Sequence, residues 1–171
     1  MKITIKKFGT RAILAGAILF GAALTLGSQL SYSNQEIIGY TVIVVSLLFV
    51  YFGIKHFRDR ENGGQVSFKK GLTVGLLISV CAGLGIGIVD GLYVSVINPD
   101  FFQQYSEAMM TTLKESGDTE KLAEMQKQMK TFESMSVPAL GLFSGALMFV
   151  TVLLIGLVIS LLSSLILKKA N

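Results

Sequence analysis

Long apolar runs separated by short polar stretches dominate the chain, and four of them are long enough to cross a bilayer. A hydrocarbon core of about 30 Å needs about 20 mostly apolar helical residues, and a helix satisfies its own backbone groups there. The runs are about 8–30, 37–54, 71–97 and 138–167. Pro138 suits the first turn of the last run, where its missing N–H costs nothing. Asn98-Pro99 closes the third, because the residue before a proline avoids the helical region. The basic start of the first run resembles a signal peptide, but the run is long and no clear A-x-A site follows it. It is therefore expected to stay as a span.

Between the third and fourth runs the pattern changes. Phe102, Tyr105, Met109 and Leu113, then Leu122, Met125, Met129 and Phe132, recur at helical spacing. Ser116-Gly117-Asp118 interrupts them. Gly117 can end one helix, Asp118 or Thr119 can cap the next, and Asp100 can cap the first. Two amphipathic helices are predicted, about 100–116 and 119–134, forming a hairpin whose apolar face lies on the membrane surface or covers the bundle. Met109, Met110, Met125, Met129 and Met135 enrich that face; interfacial packing accounts for them, and no His or Cys accompanies them to suggest copper.

Helices in lipid associate through small residues and polar contacts. Gly71, Gly75, Ser79, Gly83, Gly87 and Gly91 place a small residue at every fourth position of the third span, which makes a slanted groove. Matching positions occur at Ala12, Gly16, Ala23 and Gly27, and at Gly141, Gly145, Gly156, Ser160 and Ser164. The stripe serves either packing within one chain or contact with a second copy.

Composition agrees with lipid as the solvent. Of 171 residues, 51% are hydrophobic and only 15% charged, against about 25% in soluble domains. The net charge of +4 does not indicate nucleic-acid binding, because the basic residues flank apolar spans. Their distribution sets orientation. Lys2, Lys6, Lys7 and Arg11 precede or open the first span. Lys55, Arg58, Arg60, Lys69 and Lys70 lie between spans two and three, and Lys168 and Lys169 follow the fourth. "SYSNQE", between spans one and two, has neither Lys nor Arg. The positive-inside rule then puts both termini and the 55–70 loop in the cytoplasm. Lys114, Lys121, Lys127 and Lys130 in the hairpin are fewer and scattered. Tyr32, Tyr40 and Tyr93 fall near the outer interface.

Chemistry is sparse. Asp90 is the one carboxylate inside a span, and acids at membrane depth are costly and commonly functional. Its position puts it near the outer edge of the hydrocarbon. There it reaches water or headgroups, or bonds Tyr93, Tyr40 or Ser95; a structural interhelical hydrogen bond and a proton- or ion-handling role are the alternatives. Lys55, His56, Arg58 and Arg60 form a basic cluster that suits anionic headgroups or a docking partner. The lone His56 has no metal-ligand spacing and completes no Ser–His–Asp set. The lone Cys81 reads as a small buried hydrophobe. No cofactor motif is present.

Three blocks carry a family resemblance: Gly39-Tyr40, "FGIKHFRDRENGGQVSFKKGLTVG" over 52–75, and "INPDFFQQY" over 97–105. With the basic start and tail, they resemble domain-of-unknown-function family 4199, small four-span membrane proteins mainly of Bacteroidota. The resemblance covers nearly the whole chain. Many members carry an acid and a proline inside the last span; this chain has neither between Ala139 and Leu167. The resemblance implies a topology and no activity. The expected protein is an all-α integral membrane protein of one domain: a four-transmembrane-helix bundle with an extracytoplasmic amphipathic hairpin, in the inner membrane. A non-enzymatic structural, interaction or accessory subunit of the cell envelope is expected, without cofactor and partnered by the lipid bilayer and by a second copy or another membrane protein. The alternative is an oligomeric transporter or channel component.

Overall fold

The computed structural model describes residues 1–169. Four long helices make up the bundle: α1 (Lys2–Leu26), α2 (Tyr32–His56), α3 (Phe68–Leu92) and, after the hairpin of α4 (Phe101–Ser116) and α5 (Thr119–Glu133), α6 (Val137–Leu167). A short 3₁₀ turn, Gly27–Gln29, extends α1, and π-helical turns extend α2 (Phe57–Glu61) and α3 (Tyr93–Ile97). With these turns the four apolar helices run to 28, 30, 30 and 31 residues. At 1.5 Å per residue, about 45 Å, each outreaches the hydrocarbon. Much of their apolar surface faces outward, with Leu26 82%, Leu142 77% and Ile166 72% exposed. Water does not tolerate so much contiguous apolar surface, and lipid does. The protein is a multi-pass, all-helical membrane bundle.

The observed helices are longer than the hydropathy runs. α1 starts at Lys2 rather than near residue 8, and α2 at Tyr32 rather than near 37. Apolarity reports only the lipid-immersed length, whereas hydrogen bonding carries the helix beyond it. The hairpin follows its local signals closely. Gly117 ends α4 in the left-handed conformation (φ 73°), and the Asp118 side chain accepts from the Lys121 backbone N–H at 3.1 Å. Asp100 departs from expectation: it occupies the N-cap position of α4, but its side chain makes no capping hydrogen bond.

The Asp118 cap is a pH-sensitive element. Its hydrogen bond from the Lys121 backbone, then the Lys121 side chain, hold its carboxyl below the ordinary value. A depressed folded-state pKa contributes stability above the unfolded value, and that stability is lost as pH falls through the folded one. Amide exchange in the first turn of α5, corrected for intrinsic rate, is expected to rise on acidification through this range. Asp118→Ala is expected to raise it at neutral pH and abolish the pH dependence.

α3 is the hub. Half of its most apolar window is buried in the protein, against 22–33% for the other three. It packs on α1, α2 and α6, and α2 also touches α1 and α6. The small-residue stripe makes this possible. Gly71 and Gly75 lie against Ser164 and Ser160, Ser79 against Gly156, Gly87 against Gly145, and Gly91 against Gly141. Most of the stripe is thus matched within one chain by small residues of α6 in antiparallel order, while Gly83 meets the Phe149 ring. On another side of α3, Gly85 meets the backbone of Ile13, and Cys81 packs against Gly9 of α1. Ile43, Leu47, Val50, Ile54, Val74, Ile78, Ile86 and Val152 fill the center.

At the end that holds Met1 and Lys169, the 55–70 connection is a structured clasp. Glu61 accepts from the Thr4 backbone N–H at 2.8 Å, from the Thr4 hydroxyl and from the Met1 ammonium, so it serves the unpaired N–H groups that open α1. Gly63 and Gly64, at φ 64° and 80°, turn the chain where other residues are strained. Val66, 1% exposed, then exchanges backbone hydrogen bonds of 2.9 and 3.0 Å with Lys169.

Candidate functional site

Near the hairpin end, α1, α2, α4 and α6 enclose a half-open cavity of about 380 Å³, with the last turn of α3 at its base. Asp90 occupies that base and is only 5% exposed. The Ser144 hydroxyl of α6 donates to Asp90 Oδ2. The walls are Phe20 and Leu24 of α1, Tyr40 and Ile43 of α2, and Leu147 and Met148 of α6. Phe101, Phe102 and Tyr105 of α4 form the roof, and Gln35 and Glu36 of α2 supply polar groups near the mouth.

Local sequence explains the roof. The turn after Pro99 lets α4 fold back over the bundle, and its first turn carries aromatics on the inward face. Phe101 packs edge-on to Tyr93 and Tyr32, with ring centroids 6.1 and 6.5 Å apart. Tyr105 meets Tyr32 at 5.4 Å. Phe102 meets Phe132 of α5 at 4.6 Å, and both approach Phe143 of α6. Burial, with the Glu36 carboxylate and Tyr40 nearby, pushes the Tyr105 phenol above its ordinary value, so its ring stays neutral at the cavity.

The expected site residues divide. Asp90 is buried and held by an interhelical hydrogen bond, the structural alternative among its expected roles. Its partner is none of Tyr93, Tyr40 or Ser95. Tyr93 is buried against Phe101 outside the cavity, and Ser95 donates to the Gly91 carbonyl at 2.6 Å. Tyr40 shares the cavity without a hydrogen bond to Asp90. The basic cluster is also not a uniform patch. His56 Nδ1 lies 2.8 Å from the Thr4 hydroxyl, and Arg58 pairs with Asp59 at 2.6 Å. Lys55 and Arg60 are exposed and make no ion pair among the described residues. Gly71, Gly75, Ser79, Gly83, Gly87 and Gly91 serve helix packing.

Sequence reasoning missed Ser144, Glu36 and the aromatic roof as one group. Two signals were present. Ser144 shares the Gly141–Gly145 face of α6, and so points toward α3. Glu36 is the one acid in a connection without lysine or arginine. Among the described residues no three His, Cys, Asp or Glu side chains converge in a way that could hold a metal ion. The arrangement offers one buried carboxylate, a hydroxyl and a ring of aromatic faces.

The family model described as "Protein of unknown function (DUF4199)" matches residues 7–169. The chain belongs to this family. No curated protein and no solved structure matches it. The matched region of this DUF4199 member takes in the 55–70 connection, the glycine seam, the Asp90 cavity and the hairpin, whereas Met1 and Thr4, which Glu61 holds, precede it.

Proposed function

We propose that this DUF4199 protein is a non-enzymatic accessory or interaction subunit of the cell envelope. It would sit in the inner, cytoplasmic membrane, with both termini cytoplasmic and the α4–α5 hairpin outside. The arrangement of charge supports the orientation. The basic segments around Lys2–Lys7, Lys55–Lys70 and Lys168–Lys169 gather at one end through the Thr4–Glu61 and Val66–Lys169 contacts. The lysine-free 31–36 connection lies at the other, against Phe101 and Tyr105.

The observation that carries the interaction role is the asymmetry of the hairpin. α4 seats its aromatics on the bundle, whereas α5 has no buried residue at all. α5 therefore presents Glu120, Glu124, Lys127 and Gln128 to the aqueous side as an exposed, charged surface. In a Cys81→Ser background, Glu124→Cys is expected to react with a membrane-impermeant maleimide in intact spheroplasts, and Gln65→Cys only after permeabilization. A photocrosslinker at Gln128 is expected to trap one defined envelope protein in living cells, and charge reversal of Glu120 and Glu124 to abolish the adduct. Reversed labeling would refute the topology, and an adduct indifferent to charge reversal would refute the docking role.

A second reading, an oligomeric transporter or channel component, has the buried Asp90 in its favor. Solute or proton flux in vesicles holding the purified chain, lost in Asp90→Asn, would select it instead.

A further inference from the structure

The geometry points to the Asp90 cavity as a binding site for an organic ammonium ion that carries an apolar or aromatic body. This goes beyond the accessory role proposed above and does not depend on it. Two carboxylates, Asp90 and Glu36, line the cavity, and no lysine, arginine or histidine does. Asp90 is 5% exposed, and Ser144 is its one hydrogen-bond donor among the described residues. One neutral hydroxyl is weak compensation for a carboxylate withdrawn from water, and a cationic partner would offset that cost. A bound cation supplies that partner.

The walls select the kind of cation. Tyr32, Phe101, Phe102 and Tyr105 surround the space with aromatic rings, whose faces attract ammonium groups. A hard metal ion needs six or more oxygen ligands at short range, and these walls are mostly carbon. The volume, about 380 Å³, also far exceeds a bare ion and falls at the lower end of small-molecule sites. An acyl chain alone would use the apolar walls and leave Asp90 unanswered. Tyr40 and Leu147 on the lining are 49% and 55% exposed, so the ammonium can arrive on a lipid headgroup from the bilayer or as a free amine from water.

Tyrosine emission reads the site directly, because the chain has no tryptophan and five tyrosines, three of which line the cavity. The full chain is placed in phosphatidylglycerol vesicles free of any other protein and titrated with phenethylammonium, with phenethyl alcohol as the neutral counterpart. Saturable binding of the ammonium and none of the alcohol is expected. Asp90→Asn is expected to weaken it about thirtyfold or more, and Tyr105→Leu about threefold, as one lost cation–π face predicts. Variants are compared only where circular dichroism and gel filtration match the parent. If Asp90→Asn fails that comparison, Glu36→Gln, at an exposed position, takes its place with an expected loss of about threefold. Phosphatidylethanolamine in the vesicle raising the apparent Kd identifies the headgroup as the source; no change identifies a free amine. Equal binding of the alcohol, an unchanged affinity in the folded carboxylate variant, or no saturable binding by the parent overturns the proposal.

Discussion

Gly145→Leu is expected to prevent stable assembly of the bundle. A Cβ at residue 145 would lie 2.5 Å from the Gly87 carbonyl oxygen and 3.4 Å from the Gly91 Cα. Both neighbors are backbone, so no rotamer change can relieve the contact. Ordinary overpacking costs about 1–3 kcal/mol when side chains can yield. Here α3 and α6 must separate, so more than about 3 kcal/mol is expected, against a total stability of about 5–15 kcal/mol. Gly145→Ala should fall between the parent and the leucine variant. Gly21→Ala is the contrast. Its added methyl would meet Val89 at 3.4 Å, an ordinary contact, and alanine favors the helix by up to about 1 kcal/mol. Denaturation in mild detergent, followed by circular dichroism, separates the three. A Gly145→Leu protein as stable as the parent would show that the seam is not the closely packed interface described.

The second large effect concerns the hairpin. Phe102, Phe132 and Phe143 form a three-helix aromatic contact, with centroid separations of 4.6, 6.0 and 6.3 Å. A fully buried Phe→Ala change costs about 3–5 kcal/mol. Phe102 and Phe132 are only half-buried, so about 2 kcal/mol each is expected. The double variant Phe102→Ala/Phe132→Ala should release α4 and α5 from the bundle as a unit, because the backbones of these helices pack chiefly on each other. Hydrogen exchange over residues 101–133 is expected to accelerate while α3 and α6 remain protected. Tyr105 should also become accessible, since it shares the roof of the cavity. Unchanged exchange in the hairpin would mean that other contacts hold it.

These two cases mark where sequence reading succeeds and where it stops. The glycine stripe of α3 was visible because a four-residue period is a local property, and small residues there have few uses in lipid. Its partner was not visible. Gly141, Gly145, Gly156, Ser160 and Ser164 are equally spaced for a second copy, and only the antiparallel return of α6 brings them to α3. The aromatics of α4 likewise show helical spacing in the chain, but their contacts with Tyr32 and Phe143 join residues far apart in it.

Asp90 is the sharpest instance. Counting residues located it correctly near one end of α3, yet depth along one helix says nothing about lateral burial. Its exposure depends on which helices flank it, and its partner lies 54 residues away. The clasp at the opposite end shows the same limit. "FRDRENGGQVSF" has the charges of a headgroup-binding loop. Only the structure shows that Glu61 also serves the start of α1 and that Val66 pairs with Lys169.

The sequence by itself determined the solvent, the number of spans, the two hairpin helices and the Gly117–Asp118 boundary between them. Each follows from hydropathy, period or capping chemistry over a few neighboring residues. Tertiary structure alone decided that most of the small-residue stripe closes within one chain, that Asp90 is buried beneath an aromatic roof, and that the basic connection holds Met1 and Lys169. Those outcomes depend on which surfaces meet after the helices form, and distant segments compete for such contacts on nearly equal terms until the whole bundle selects among them.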